Sequence, residues 1–302
     1  METLITLLLL IGGALAMALQ NAFKRGFTKS CPLFFAFCST FFALVVFVII
    51  SGFKFSFDSY LLKYSVLMGI AYAVCMVTLT FALKVGNLSL SGLIISASLI
   101  MPTFYGIIFL HNRISACFII GLVTLVVALV FVNLGGKWQT DNEKPKDKMS
   151  KTNINDANKN TVKWLIFILI AAITNGFTSI IQTAQQTAYS GAMKNEFMII
   201  ALVIASVAIL IVAIFTERRQ IKDGMKQSLV LGGGSGIMNA LLNLSAMYSV
   251  SRAPAAVVFP VISGAGLVFT CLTAFIVFKE RFSKVQYLGY FIGLVSVILF
   301  NL

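Results

Sequence analysis

The sequence predicts an all-α integral membrane protein in which ten transmembrane helices form two inverted five-helix repeats. Composition, the length of the apolar runs and a repetition between the two halves carry that expectation. Of 302 residues, 59% are hydrophobic and 11% are charged, where a soluble domain carries roughly a quarter charged residues. A mean hydropathy of +0.96 leaves more apolar surface than one buried core can absorb, so lipid must solvate the exterior.

A helix needs about 20 apolar residues to cross the hydrocarbon core. The first run, 3–22, has no basic stretch ahead of it, so it reads as a retained helix although Ala14-Leu15-Ala16 imitates a cleavage box. Pro32 sits at a helix start ahead of 33–51, and 63–83 closes on Ala82-Leu83-Lys84. The run 88–110 holds Pro102, a predicted kink, and 116–134 ends the first half. The second half reads as 164–187, 197–215, 228–250, 255–278, entered at Pro254 and kinked at Pro260, and 285–302. Uniformly apolar runs of this length do not fit barrel strands of alternating polarity. Gly232-Gly233-Gly234-Ser235-Gly236 lacks the Gly-Lys-Ser/Thr of a phosphate cradle and predicts close helix packing, as do Gly12-Gly13 and Gly264-Ala265-Gly266. The cysteines, Cys31, Cys38, Cys75, Cys117 and Cys271, are scattered singly and read as packing residues.

Three units follow: 1–134 as one five-helix repeat, 135–163 as a linker and 164–302 as a second repeat. The linker, dense in Lys, Asn and Asp and flanked by Trp138 and Trp164, is too polar to fold by burial and is expected to be mobile. Sliding 86–134 onto 254–302 without gaps aligns Arg113 with Arg281, Ser115 with Ser283, Gly121 with Gly289 and Asn133-Leu134 with Asn301-Leu302. Five spans is an odd number, so the second copy enters the membrane from the opposite side.

Net charge is +13, yet Lys and Arg lie in short breaks rather than along a helix face, which points to topology and not to nucleic acid. The odd-numbered breaks hold eighteen of the 23 Lys and Arg residues. The bias places the linker and the Lys24-Arg25, Glu217-Arg218-Arg219 and Lys279-Glu280-Arg281 breaks in the cytoplasm, with both termini outside; the expected location is the cell (plasma) membrane.

Phe278-Lys279-Glu280-Arg281-Phe282-Ser283 followed by Gly289, Ala82-Leu83-Lys84, and the entrance Ala253-Pro254-Ala255-Ala256-Val257-Val258-Phe259-Pro260 resemble the EamA family of the drug/metabolite transporter superfamily. The resemblance implies a ten-helix carrier with a central cavity, moving small metabolites by alternating access. The first half departs from it, with His111-Asn112-Arg113 where the family usually carries a Gly-Glu-Arg-like turn.

Within the predicted spans no charged residue stands away from the ends, which argues against a buried carboxylate proton switch. Amides and hydroxyls occur there instead. Asn175, Thr178, Gln182 and Gln185 share one helix face, and Ser235, Asn239 and Asn243 share another. Asn175, Thr178, Gln182, Asn239 and Asn243, with Gln20, Asn21, Thr78, Ser96 and Ser263, are the candidate solute contacts, weighed against plain helix-to-helix hydrogen bonding. Glu280 and Arg281 are the candidate gate. His111 is the single histidine, and neither a metal-ligand set nor a nucleophile motif accompanies it, so an enzyme is disfavoured and no metal or cofactor is expected. The expectation is a secondary transporter, an exporter acting as monomer or homodimer, for a small neutral or zwitterionic metabolite resembling an amino acid or nucleoside. The alternative is a structural or sensory membrane subunit.

Overall fold

The computed structural model describes every residue except 1, 54, 57, 86–90, 92–93, 96–97, 99, 112–114, 144–153, 280–281 and 300–302. The described residues form nine helices and no strand: α1 (Glu2–Gly26), α2 (Pro32–Ile50), α3 (Ser59–Val85), α4 (Ile100–Ile108), α5 (Ala116–Glu143), α6 (Ile154–Ala188), α7 (Lys194–Val250), α8 (Ala255–Ile276) and α9 (Lys284–Leu299). Six of them are long and apolar enough to cross a membrane, and Ala116–Val132 is a shorter apolar stretch.

The count of nine against an expected ten has a physical origin in α7. A straight helix of 57 residues would be roughly 85 Å long. Its two ends nevertheless meet: the Lys194 ammonium lies 4.7 Å from the Tyr248 ring, and Phe197, Met198 and Leu202 share a buried cluster with Ala240, Leu244 and Met247. The element therefore doubles back, and its two arms are the expected spans 197–215 and 228–250. Glu217 and Gly224 both touch the start of α2, which places the return between them. The expected span 88–110 is described mainly through α4.

The expected linker, 135–163, carries helix at both ends. α5 continues to Glu143 and α6 begins at Ile154, and only 144–153 lie outside the described residues. Once an anchored apolar span has nucleated a helix, each further residue adds a hydrogen bond, and middling formers such as Asn and Thr are carried along.

Apolar side chains cover the outside as well as the core, and a set of polar ones is buried. Leu4, Leu8, Ile11 and Leu15 form an exposed stripe on α1, as Val203, Val207, Ile211 and Ile214 do on the first arm of α7. Gln20, Thr178, Gln182 and Asn239 are buried. Lipid accounts for the stripes, and the bundle is a multi-pass membrane protein.

The helices pack in corresponding pairs. α2 runs parallel to the second arm of α7, Gly224 lying by Cys31, Gly232 by Cys38 and Gly236 by Ser39. α3 runs parallel to the first arm, Gly69 lying by Ala201 and Lys84 reaching Glu217. α1 is antiparallel to the second arm, with Ser245 Oγ donating to the Leu9 carbonyl and Phe23 beside Gly234. α3 is likewise antiparallel to α6, where Phe81 and Phe167 are 5.7 Å apart and Cys75 meets Asn175. α5 and α9 close one side, Gly289 lying against the Ala128 carbonyl.

Candidate functional site

A cavity of 260 Å³ lies among α1, α3, α6, the second arm of α7 and α8. It falls just short of the roughly 300–1,000 Å³ of drug-sized clefts, which suits a small metabolite. Each helix supplies one face. α1 presents Met17, Gln20, Asn21 and Lys24, within two turns of one another. α3 presents Met68, Tyr72, Cys75, Met76 and Leu79, and α6 presents Asn175, Thr178, Ser179 and Gln182. The second arm of α7 contributes Asn239, Leu242, Asn243 and Ala246, and α8 contributes Phe259, Ile262 and Ser263.

The amides are held in a chain. Asn239 Nδ2 donates to the Tyr72 hydroxyl at 2.9 Å. Asn243 Nδ2 donates to the Asn239 carbonyl at 2.8 Å and to its Oδ1 at 3.0 Å. Gln182 Nε2 donates to Asn243 Oδ1 at 2.6 Å. Separately, Asn175 Nδ2 donates to Ser98 Oγ at 2.7 Å, tying α6 to the segment ahead of α4. In an apolar interior every unpaired polar group costs free energy, so such a chain fixes the orientation of each amide toward the cavity.

Of the ten residues proposed from sequence, Gln20, Asn21, Asn175, Thr178, Gln182, Asn239, Asn243 and Ser263 line this cavity. Thr78 is absent from the lining and bonds back to the Val74 carbonyl at 2.6 Å. Ser96 and the candidate gate, Glu280 and Arg281, lie outside the described residues. Gln185, although on the polar face of α6, is fully buried away from the cavity and donates to the Ala192 carbonyl at 3.2 Å. Ser235 likewise serves packing, its hydroxyl 3.1 Å from that of Ser39.

Two lining residues that sequence reasoning missed change the chemistry. Tyr72 anchors the amide chain. Lys24 adds a cation to the cavity wall: α1 continues to Gly26, so Lys24, exposed in the last helical turn, lines the cavity and does not stand in a loop break. The signal was available, since Met17, Gln20, Asn21 and Lys24 follow helical spacing. Arg25 points elsewhere, its guanidinium 5.0 Å from the Phe278 ring.

A second recess of 330 Å³, lined by Phe55, Ser56, Glu196, Ile199, Ile200, Val203 and Ile204, presents an almost wholly apolar surface and includes Val203 of the lipid-facing stripe. Lipid chains suit it better than a polar solute.

Residues 162–302 match the model of the EamA-like transporter family. No curated protein matches the chain in sequence. A solved crystal structure of a protein is similar over 97% of this chain and 95% of its own, with a TM-score of 0.72 at 10% identity, a likeness of fold.

Proposed function

From a chain whose residues 162–302 match the model of the EamA-like transporter family, we propose a secondary carrier of the drug/metabolite transporter superfamily that exports a small neutral or zwitterionic metabolite across the plasma membrane by alternating access. The observation that carries the reading is the central cavity, where Tyr72, Asn239, Asn243 and Gln182 form one hydrogen-bonded chain across three elements. Plain helix-to-helix bonding would leave no cavity between the bonded helices. Here the chain borders one.

Alternating access needs two half-bundles that exchange roles. In this reading 1–134 and 164–302 are inverted copies. The corresponding pairs support it: α2 against the second arm of α7 answers α3 against the first arm, both parallel, and α1 against the second arm answers α3 against α6, both antiparallel. A pseudo-twofold axis in the membrane plane makes these exchanges. The ends carrying Lys24, Lys84, Arg218 and Arg219 are the cytoplasmic ones in this reading.

Purified protein in liposomes, loaded with labelled amino acids or nucleosides, is expected to release at least one of them faster than empty liposomes do. Absence of flux and of binding across both panels overturns the carrier reading in favour of a structural or sensory subunit.

A further inference from the structure

Lys24 is the one ionisable side chain besides Tyr72 and Cys75 among the described residues that line the cavity, and no Asp or Glu is among them. The cavity wall is otherwise amide, hydroxyl, thioether, aromatic and aliphatic. An ammonium facing such a space has water and amide oxygens to solvate it, but no counter-charge on the described wall. Lys24 is exposed in the last turn of α1, so its ammonium is accessible to a solute entering the cavity at that end. Other cations of the same end are accounted for differently: Lys84 is paired with Glu217 at 2.8 Å, and Arg25 sits over Phe278.

We infer that Lys24 receives an anionic group of the transported solute, so that the cavity selects small molecules carrying one carboxylate or phosphate over their neutral counterparts. This deepens the carrier reading and rests on it. A single cation matches a single negative charge, which favours a carboxylate. Gln20 and Asn21 lie within about one helical turn of Lys24 on the same face, so a carboxylate there meets the ammonium and neutral amides together. A zwitterion's ammonium then points toward the amide oxygens of Asn239 and Asn243, with no carboxylate to compete for it. Met17, Met68 and Met76 line the remaining surface with side chains that adapt to varied apolar groups.

The test uses full-length protein in nanodiscs and reads ligand-induced shifts of melting temperature. The probes are N-acetyl amino acids against their neutral N-acetyl carboxamides, and nucleoside monophosphates against nucleosides. Carboxylates or monophosphates are expected to bind at least tenfold more tightly than their neutral counterparts, and the responding pair identifies the anion. Lys24→Gln abolishes that preference while Lys24→Arg retains it, and Lys29→Gln, an exposed control, changes nothing. Neutral counterparts binding as well as the anions, or a preference that survives in Lys24→Gln, overturns the inference and leaves the carrier standing. No shift with any probe, together with no flux in liposomes, overturns both.

Discussion

Glu217 and Lys84 form an ion pair of 2.8 Å in which the carboxylate is 2% exposed and the ammonium side chain 39%. The second carboxylate oxygen accepts the backbone N–H groups of Leu33 at 2.9 Å and Phe34 at 3.1 Å. α2 opens with Pro32 and Cys31 gives it no side-chain cap, so its free N–H groups are satisfied by a residue far along the chain. One carboxylate thus joins the end of α3, the return of α7 and the start of α2.

The two partners should therefore differ in worth. Glu217→Ala removes the cap and the pair together and is expected to cost about 1–2 kcal/mol, the upper range for a lost N-cap. Lys84→Met leaves the two N–H bonds to the carboxylate in place and removes a half-exposed partner, so its loss should stay below about 1 kcal/mol. Melting of both variants in detergent checks the order. A larger loss from Lys84→Met contradicts the capping role.

At the opposite end of the bundle the Tyr189 hydroxyl donates to Asp58 Oδ2. That bond, with backbone N–H groups near the start of α3, holds the Asp58 carboxyl below the usual carboxylate range. Desolvation and the same hydrogen bond push Tyr189 up to about 12. A depressed carboxyl stabilises the fold above its unfolded pKa, about 3.9, and the contribution is lost as pH falls through the lower folded value. A raised phenol stabilises below about 10 and loses the contribution as pH climbs through its folded value. The melting-temperature gap between wild type and Tyr189→Phe should be flat from about pH 5 to pH 9 and shrink on both sides. A gap independent of pH removes the Asp58–Tyr189 bond as its source.

Hydropathy made the bundle legible because lipid-facing and core helices alike must be apolar over a full span. The cavity was legible in part because amides are conspicuous on such helices: Gln182, Asn239 and Asn243 face it, at helical spacing visible in the sequence. What sequence could not supply was the depth at which each helix ends. Lys24 and Glu217 both read as loop residues beside basic neighbours, yet one faces the cavity and the other is buried in a three-helix junction. Thr78 shows the reverse, since a hydroxyl on an apolar helix can satisfy itself on its own backbone and say nothing about a site.

The amide chain separates binding from stability. Asn243→Ala breaks both the Gln182 and the Asn239 contacts and should weaken solute binding at least tenfold, about 1.4 kcal/mol or more. Tyr72→Phe removes only the anchor of Asn239 and should act in the same direction but less. Thr78→Ala serves as the comparison and should leave binding unchanged, since its hydroxyl serves its own helix. Ligand-induced melting shifts on the three variants check the series. Equal effects from Asn243→Ala and Thr78→Ala would falsify the assignment of the cavity.

Glycines that looked alike in sequence should part company on substitution. A Cβ on Gly236 would collide with the Ser39 carbonyl oxygen and would stand 2.8 Å from Phe42 Cβ, and one on Gly69 would stand 2.7 Å from the Ala201 carbonyl oxygen. Backbone cannot yield as a long side chain can, so Gly236→Ala and Gly69→Ala should each destabilise by about 1–3 kcal/mol through overpacking. A methyl group on Gly12 would meet nothing within 4 Å, and alanine is the better helix former, so Gly12→Ala should leave the melting temperature unchanged or raise it slightly. Because Gly236 and Gly69 occupy corresponding contacts, α2 with one arm of α7 and α3 with the other, their penalties should also be similar. A loss confined to one of the pair, measured on expression-matched protein in the same detergent, contradicts the equivalence of the two contacts on which the inverted-repeat proposal leans.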